Sequence, residues 1–180
     1  MRPTQPNSSR AIVEQEVLPH LDALFAYSLY LTRNRTDAEE LTQETLLKAV
    51  SSISQYQRGT NCKAWLFRIM HNTFLNSIRR KPSHVTFDDS SMMQSSDRDE
   101  ESGSDSTSRN PEGSFVSMLS RSKVREAVEK LPPEFRSVVV LADLEEFSYK
   151  EIAEVLQIPI GTVMSRLNYA RKVLKERLAS

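Results

Sequence analysis

Phe147–Leu178, FSYKEIAEVLQIPIGTVMSRLNYARKVLKERL, is the stretch whose reading decides the fold. It reads as a short helix, a tight turn and a longer helix. Ser148 and Glu151 form a Ser-x-x-Glu capping box, with Phe147 just before it and Ile152 just inside. Such a box satisfies two orphan backbone amides and sets the angle at which the chain enters the helix. Gln157-Ile158 interrupts the amphipathic run. Pro159 suits the first position of the next helix, where its missing N–H loses nothing. In that helix Val163, Leu167, Ala170 and Leu174 fall at i, i+4, i+7 and i+11, a single apolar stripe at about 100° per residue. The opposite side carries Ser165, Asn168, Tyr169 and Lys172, flanked by Met164, Arg166 and Arg171. An apolar back and a cationic, hydrogen-bonding front suit a helix laid into a major groove. A solvated helical hairpin has the same spacing, so the rest of the chain must decide.

Working back toward the N-terminus, Val116, Met118, Leu119, Val124, Ala127, Val128 and Leu131 read as one helix, and Pro133 opens another that runs to about Asp143. Val138–Leu141 is β-rich in propensity, but a proline start and helical neighbours outweigh that weak preference. Residues 116–180 therefore form a four-helix unit that ends in a helix-turn-helix. Before it, residues 83–115 change character: 10 of 33 are Ser and 8 are acidic, without any hydrophobic period. This is the composition of a flexible, self-repelling acidic linker and marks a domain boundary.

Residues 11–82 turn helical again, after ten polar residues expected to be disordered. Leu18, Leu21, Leu24, Phe25, Leu29 and Leu31 belong to a richly apolar helix with Pro19 near its start, following a short turn at Ile12–Val17. Thr36 and Glu39 suggest a second capping box, opening a helix from Asp37 to about Ile53. On it Glu40, Gln43 and Glu44 make a compact acidic and amide patch, which composition alone reads as solvated surface. After a loop at Gln55–Asn61, the helix Lys63–Arg80 has an apolar stripe of Trp65, Leu66, Ile69, Thr73, Phe74 and Ile78. Lys63, Arg68, His71, Asn72, Asn76, Arg79 and Arg80 supply cations and donors. Aromatics, amides and cations on one helix suit melted or single-stranded nucleic acid; equally, Trp65 and Phe74 fit a core.

The fold class is thus all-α, with two small helical domains on an acidic tether. Net charge is zero overall, yet the first 82 residues hold 11 Lys and Arg against 7 Asp and Glu, and residues 116–180 hold 11 against 9. Polyanion binding follows that local charge. The sole cysteine, Cys62, excludes an internal disulfide and is read as an exposed loop thiol. The start, MRPTQPNSSR, lacks the apolar stretch of a secretory signal, and no run approaches the ~20 apolar residues of a membrane span. A cytoplasmic protein without membrane insertion is expected. There is no Gly-rich phosphate loop, no His-Glu-x-x-His and no Cys/His zinc spacing, and His20, His71 and His84 are scattered. No enzyme, metal or cofactor is expected.

Three segments, DAEELTQETLLKAV (37–50), RGTNCKAWLFRIMHNTFLN (58–76) and LPPEFRSVVVLADLEEFSYKEIAEVLQIPIGTVMSRLNYARKVL (131–174), resemble the extracytoplasmic-function sigma factors of bacterial RNA polymerase, in that family's order. The NCKAW segment is most similar to a subgroup answering thiol-oxidative or heat stress. The resemblance implies a factor that binds core RNA polymerase and directs initiation at stress-response promoters. Residues 11–82 correspond to sigma region 2 and residues 116–180 to region 4. It implies that Glu40, Gln43 and Glu44 dock the β′ coiled coil. Asn61, Cys62, Lys63, Arg68, Asn72, Asn76, Arg79 and Arg80 then serve the −10 element, where capture of a flipped base offsets a few kcal/mol of unpairing. Thr162, Met164, Ser165, Arg166, Asn168, Tyr169, Arg171 and Lys172 serve the −35 element. Many relatives carry a cation where Met164 and Tyr169 stand, so no −35 preference transfers. The implied partners are core polymerase through β′ and the β flap, promoter DNA and an anti-sigma factor. The alternative is a free-standing helix-turn-helix regulator that binds operators as a dimer; it has no need of the patch on residues 40–44, and no heptad seam is present.

Overall fold

The structure is a computed structural model and describes residues 6–80 and 122–179. The acidic stretch 83–115 and the expected helical start at 116–121 lie outside the described residues. Among the described residues every regular element is a helix or helical turn. Helix α1 spans Pro6–Ile12, so order begins before the Ala11 expected from the pattern. A π-type turn (Val13–Val17) and a 3-10 turn containing Pro19 (Leu18–His20) lead into α2, Leu21–Thr32. Arg33 closes α2 in the left-handed conformation, φ 58°.

Helix α3 is Arg35–Ser51. Its cap is Asn34 and not the expected Thr36: the Asn34 side chain accepts from the amides of Thr36 and Asp37 at 2.8 and 3.2 Å. Glu39 instead pairs with Arg35 at 3.0 Å. Asn34 lies one position ahead of the helix, where an Asx side chain reaches the orphan amides first. Helix α4 is Cys62–Arg80. Asn61 caps it, accepting from the Ala64 amide at 2.9 Å.

The second unit starts with the helix 122–129, here α5. Pro133 occupies the first turn of α6, Pro133–Val139, which runs on as a π-type turn through Leu144. Helix α7 is Tyr149–Leu156, and its capping box is complete in both directions. Gln157 ends it at φ 56°. Helix α8, Ile160–Ala179, begins one residue after Pro159, whose carbonyl accepts from the Thr162 and Val163 amides. The stripe Val163, Leu167, Ala170, Leu174 is buried; apolar burial of this kind is the main stabilising term for helices too short to persist alone.

The two units are not held apart. Buried side chains of both belong to one continuous hydrophobic cluster. Helix α4 packs on α7, and α2 on α6. Phe67 of α4 meets Phe147 edge-on at 5.2 Å and Tyr27 of α2 stacked at 5.1 Å, distances at which ring quadrupoles favour both arrangements.

Candidate nucleic-acid and polymerase interfaces

Three groups of residues follow from the helices that carry them. The first is the outer face of α3. Glu40 and Gln43 are exposed, and Glu44, half-exposed, pairs with Lys48 at 2.7 Å. Lys48 also donates to Thr73 Oγ1 of α4 at 3.1 Å, which ties the face to the helix behind it. The sequence reading missed Leu47, 69% exposed and one turn beyond Gln43 and Glu44. A large apolar side chain left in water beside an acidic patch suits a partner surface better than a solvated one. The signal was present: Leu47 falls off the α3 stripe that Leu41, Thr45 and Ala49 bury. Glu40 and Glu44 also line a groove of about 340 Å³, floored by Leu31, Leu41, Phe74 and Ile78 and bounded by Pro133 and Arg136 of α6.

The second group is α4 and its leading loop, and the structure divides it. Arg68, Asn76, Arg79 and Arg80 are exposed and Asn72 half-exposed. Arg68, Asn72, Asn76 and Arg79 fall at i, i+4, i+8 and i+11, one open stripe. Lys63 points elsewhere, into the junction with the second unit. Its Nζ pairs with Glu145 Oε2 and donates to the Glu145 carbonyl, both at 2.8 Å. It also lies 5.0 Å from the Phe147 ring centroid and 5.6 Å from that of Phe67. Asn61 Nδ2 donates to Glu151 Oε1 at 2.6 Å.

Cys62 is not an exposed loop thiol: it starts α4 and is 7% exposed. Burial pushes its thiol pKa up, with a weaker lowering by the Tyr56 hydroxyl. The reactive thiolate is correspondingly disfavoured. Of the two aromatics, Phe74 is core, whereas Trp65 is half-buried against Tyr56, rings 5.0 Å apart. His71, placed by pattern on the polar side, is buried with its Nδ1 3.3 Å from the Tyr27 hydroxyl. Burial and, after it, the charge of Arg166 hold its pKa down to about 4.

The third group lies on α8. Met164 is 48% and Tyr169 42% exposed, and Ser165, Asn168 and Lys172 are exposed with them. Met164, Ser165, Asn168 and Tyr169 form an open face at the N-terminal half of the helix, the part that reaches base edges in helix-turn-helix proteins, and Lys172 lies just beyond it. The Ser165 hydroxyl donates to the Thr162 carbonyl at 3.1 Å, and Thr162 is half-exposed. The Tyr169 ring leans on Phe135 at 4.6 Å, so its hydroxyl end sits on a supported platform. Arg171 is engaged already: Nη2 donates to Asp143 at 2.6 Å, and its pKa is raised first by that hydrogen bond. Arg166 is half-buried on the side toward His71.

Comparison with known proteins adds three findings. Residues 17–83 match the family Sigma-70 region 2, and residues 121–174 match Sigma-70, region 4. The chain is 36% identical over 166 residues to the ECF RNA polymerase sigma factor SigE of Mycolicibacterium smegmatis, of which it spans 61%, and 31% identical to EcfG of Rhodopseudomonas palustris, of which it spans 84%; each alignment covers 92% of this chain. Among solved structures it is similar to the sigma factor RpoE of Bartonella quintana, crystallised with the anti-sigma factor NepR, at TM-score 0.68 and 30% identity, over 92% of this chain and 96% of that one.

Proposed function

The chain belongs to the ECF RNA polymerase sigma factors, transcription initiation factors and not enzymes, and from that premise we propose a division of labour between its halves. The first unit, α1–α4, docks core polymerase through α3, with Glu40, Gln43 and Glu44 facing the β′ coiled coil and Leu47 as an apolar anchor. The open stripe of α4, Arg68 through Arg79 and Arg80, follows the −10 strand by its phosphates, and the Asn61–Lys63 end receives an unstacked base. The second unit reads the −35 element through Met164, Ser165, Asn168 and Tyr169, with Lys172 on phosphate and the β flap behind it. An anti-sigma factor is proposed as a regulator, supported by the NepR-bound relative, and stress-response genes as targets.

The observation that carries this reading is α3. A self-sufficient operator-binding dimer has no use for a helix that presents Glu40, Gln43 and an exposed Leu47 outward from the unit lacking the helix-turn-helix. Gel filtration with purified core polymerase, followed by runoff transcription on genomic fragments, tests it. The chain co-elutes with core and yields discrete start sites, whose genes show whether they form a stress response. Tight operator binding by the chain alone, with no association with core, sinks the proposal. Glu44→Lys weakens core binding by about tenfold or more, since like charges brought together at an interface cost several kcal/mol. Ser165→Ala and Tyr169→Ala shift −35 preference and leave core binding within about twofold, because base contacts discriminate by about 1–3 kcal/mol each.

A further inference from the structure

We propose that Glu16 is a positioning residue for −10 recognition: it touches no base itself but fixes the turn that leads into the base-receiving end of α4. This rests on the role proposed above for Asn61 and Lys63. Glu16 belongs to the π-type turn Val13–Val17 and lies one residue ahead of the stretch 17–83 that matches Sigma-70 region 2. Its backbone is held from both sides, because Ile12 and Val17 are buried in the core and the turn packs on α4. Each carboxylate oxygen then meets a different part of the segment 56–60. Oε2 accepts from the Tyr56 hydroxyl at 2.5 Å, and Oε1 lies 3.8 Å from Arg58 Nε. The first contact is short and charge-assisted, the kind that fixes geometry. The second is long and more than half exposed on the arginine side, so it contributes little. A carboxylate beside a nucleic-acid face otherwise repels phosphate; turned to the loop on both oxygens, this one has a use there.

Tyr56 carries the constraint onward. Its side chain is buried, with the ring 5.0 Å from that of Trp65 on α4, so it does not swing to follow the loop. Its hydroxyl has one hydrogen and two acceptors within reach, the Glu16 carboxylate and the Thr60 carbonyl at 3.1 Å. The carboxylate is the stronger acceptor and sets the direction of the hydroxyl, and the Thr60 carbonyl is placed against that fixed group. Removing the carboxylate leaves the hydrogen to Thr60 alone and lets the pair move together. Thr60 in turn closes a tight turn. Its amide and its hydroxyl both donate to the Gln57 carbonyl, at 3.2 and 2.7 Å, and Gly59 between them has φ 85°, which glycine adopts without strain. Asn61 follows directly and caps α4 through the Ala64 amide. A displacement at Thr60 therefore passes into Asn61 and Lys63, whereas groups that bind by geometry must be held to within about 0.5 Å. Glu16, Tyr56 and Thr60 form a strut from the N-terminal turn to the base-receiving end of α4.

The test uses the full chain bound to core polymerase, on a promoter taken from the runoff experiment above. Each −10 position is made in turn with all four bases, and the ratio of best to worst transcript yield measures discrimination. Glu16→Ala and Tyr56→Phe each lower that ratio at one position by about fivefold or more, the low end of what one base contact is worth. Glu16→Gln keeps an acceptor for the hydroxyl and loses only the charge, so it stays within about twofold of wild type. Glu16→Ala added to Tyr56→Phe lowers the ratio no further, as expected of two residues acting in series. Glu14→Gln, at a carboxylate of the same turn paired with Arg10 instead, controls for charge. Circular dichroism sets a temperature at which every variant is folded. Hydrogen exchange at the Thr60 amide of the free chain is faster in Glu16→Ala and Tyr56→Phe and unchanged in Glu16→Gln and Glu14→Gln. Unchanged exchange or unchanged discrimination in Glu16→Ala, a Glu16→Gln variant as impaired as Glu16→Ala, or a loss equal for all four bases overturns the proposal. A wild-type chain that yields no transcript with core sinks the polymerase roles and the base reading with them, while the exchange rates still decide whether Glu16 holds the loop.

Discussion

His71 shows how much one side chain on α4 can govern. Its ring is 9% exposed and meets the Tyr27 hydroxyl, and its pKa lies near 4, below the ordinary 6.5. The sign follows directly. The unfolded chain takes up the proton first, so the contribution of neutral His71 is complete above about pH 6.5 and is lost as pH falls through the window from 6.5 to 4. The full span corresponds to about 3 kcal/mol at most. Urea unfolding at pH 7 and pH 5 therefore shows a smaller difference for His71→Gln than for wild type; an unchanged difference refutes the assignment. Position in the sequence did not reveal this. Met70 continues the stripe through Leu66 and Phe74 and Phe67 borders it, but His71 lies beyond its edge, where a single-faced helix leaves it in water. It is buried because Tyr27 of α2 meets it and the second unit brings Arg166 to the same side of α4, and α4's own periodicity carries no record of which distant elements do so.

Among the elements, α7 was the most legible and the start of α3 the least. Two Ser/Thr-x-x-Glu patterns occur, and only Ser148–Glu151 becomes a capping box. At Thr36–Glu39 the competing acceptor Asn34 takes the amides of Thr36 and Asp37, so Thr36 falls inside the helix and Glu39 turns to Arg35. Local patterns rank acceptors by type, whereas the winner is set by where the preceding helix ends, here at the left-handed Arg33. Ser148→Ala costs about 1 kcal/mol, read as a lower melting temperature. Because the same Glu151 carboxylate bonds Asn61, this change also loosens the junction between the two units. Helix α8 was readable in full on its buried face, whose stripe is confirmed at all four positions. Its outer face was readable by composition only: that Arg171 is tied to Asp143, and that Tyr169 leans on Phe135, depend on partners 28 and 34 positions away.

At the scale of the molecule, the helical class and the two units were foreseeable, and their union was not. A linker composition says that two domains are tethered, not whether they adhere. Adhesion comes from Phe67 and Phe147, which any helix-by-helix reading assigns to their own cores, and from the Lys63–Glu145 ion pair and hydrogen bonds between residues 82 to 106 positions apart. Phe147→Ala removes the ring from both sides at once, at about 3–5 kcal/mol for a buried phenylalanine. Wild type unfolds by urea in one transition followed identically by fluorescence and circular dichroism; the variant shows two. A single transition in both would mean that the Phe147 ring is not what couples the two units.

The lone tryptophan gives the molecule an optical handle of its own. Trp65 stands two positions after Lys63, half-buried on the ring of Tyr56, whose hydroxyl is held by Glu16 at 2.5 Å. Its emission therefore samples the polarity of the very loop that the second unit covers. A change at the junction, the arrival of a nucleic-acid base and the approach of polymerase can each be timed by stopped flow on unlabelled protein, with no other indole in the chain to blur the signal.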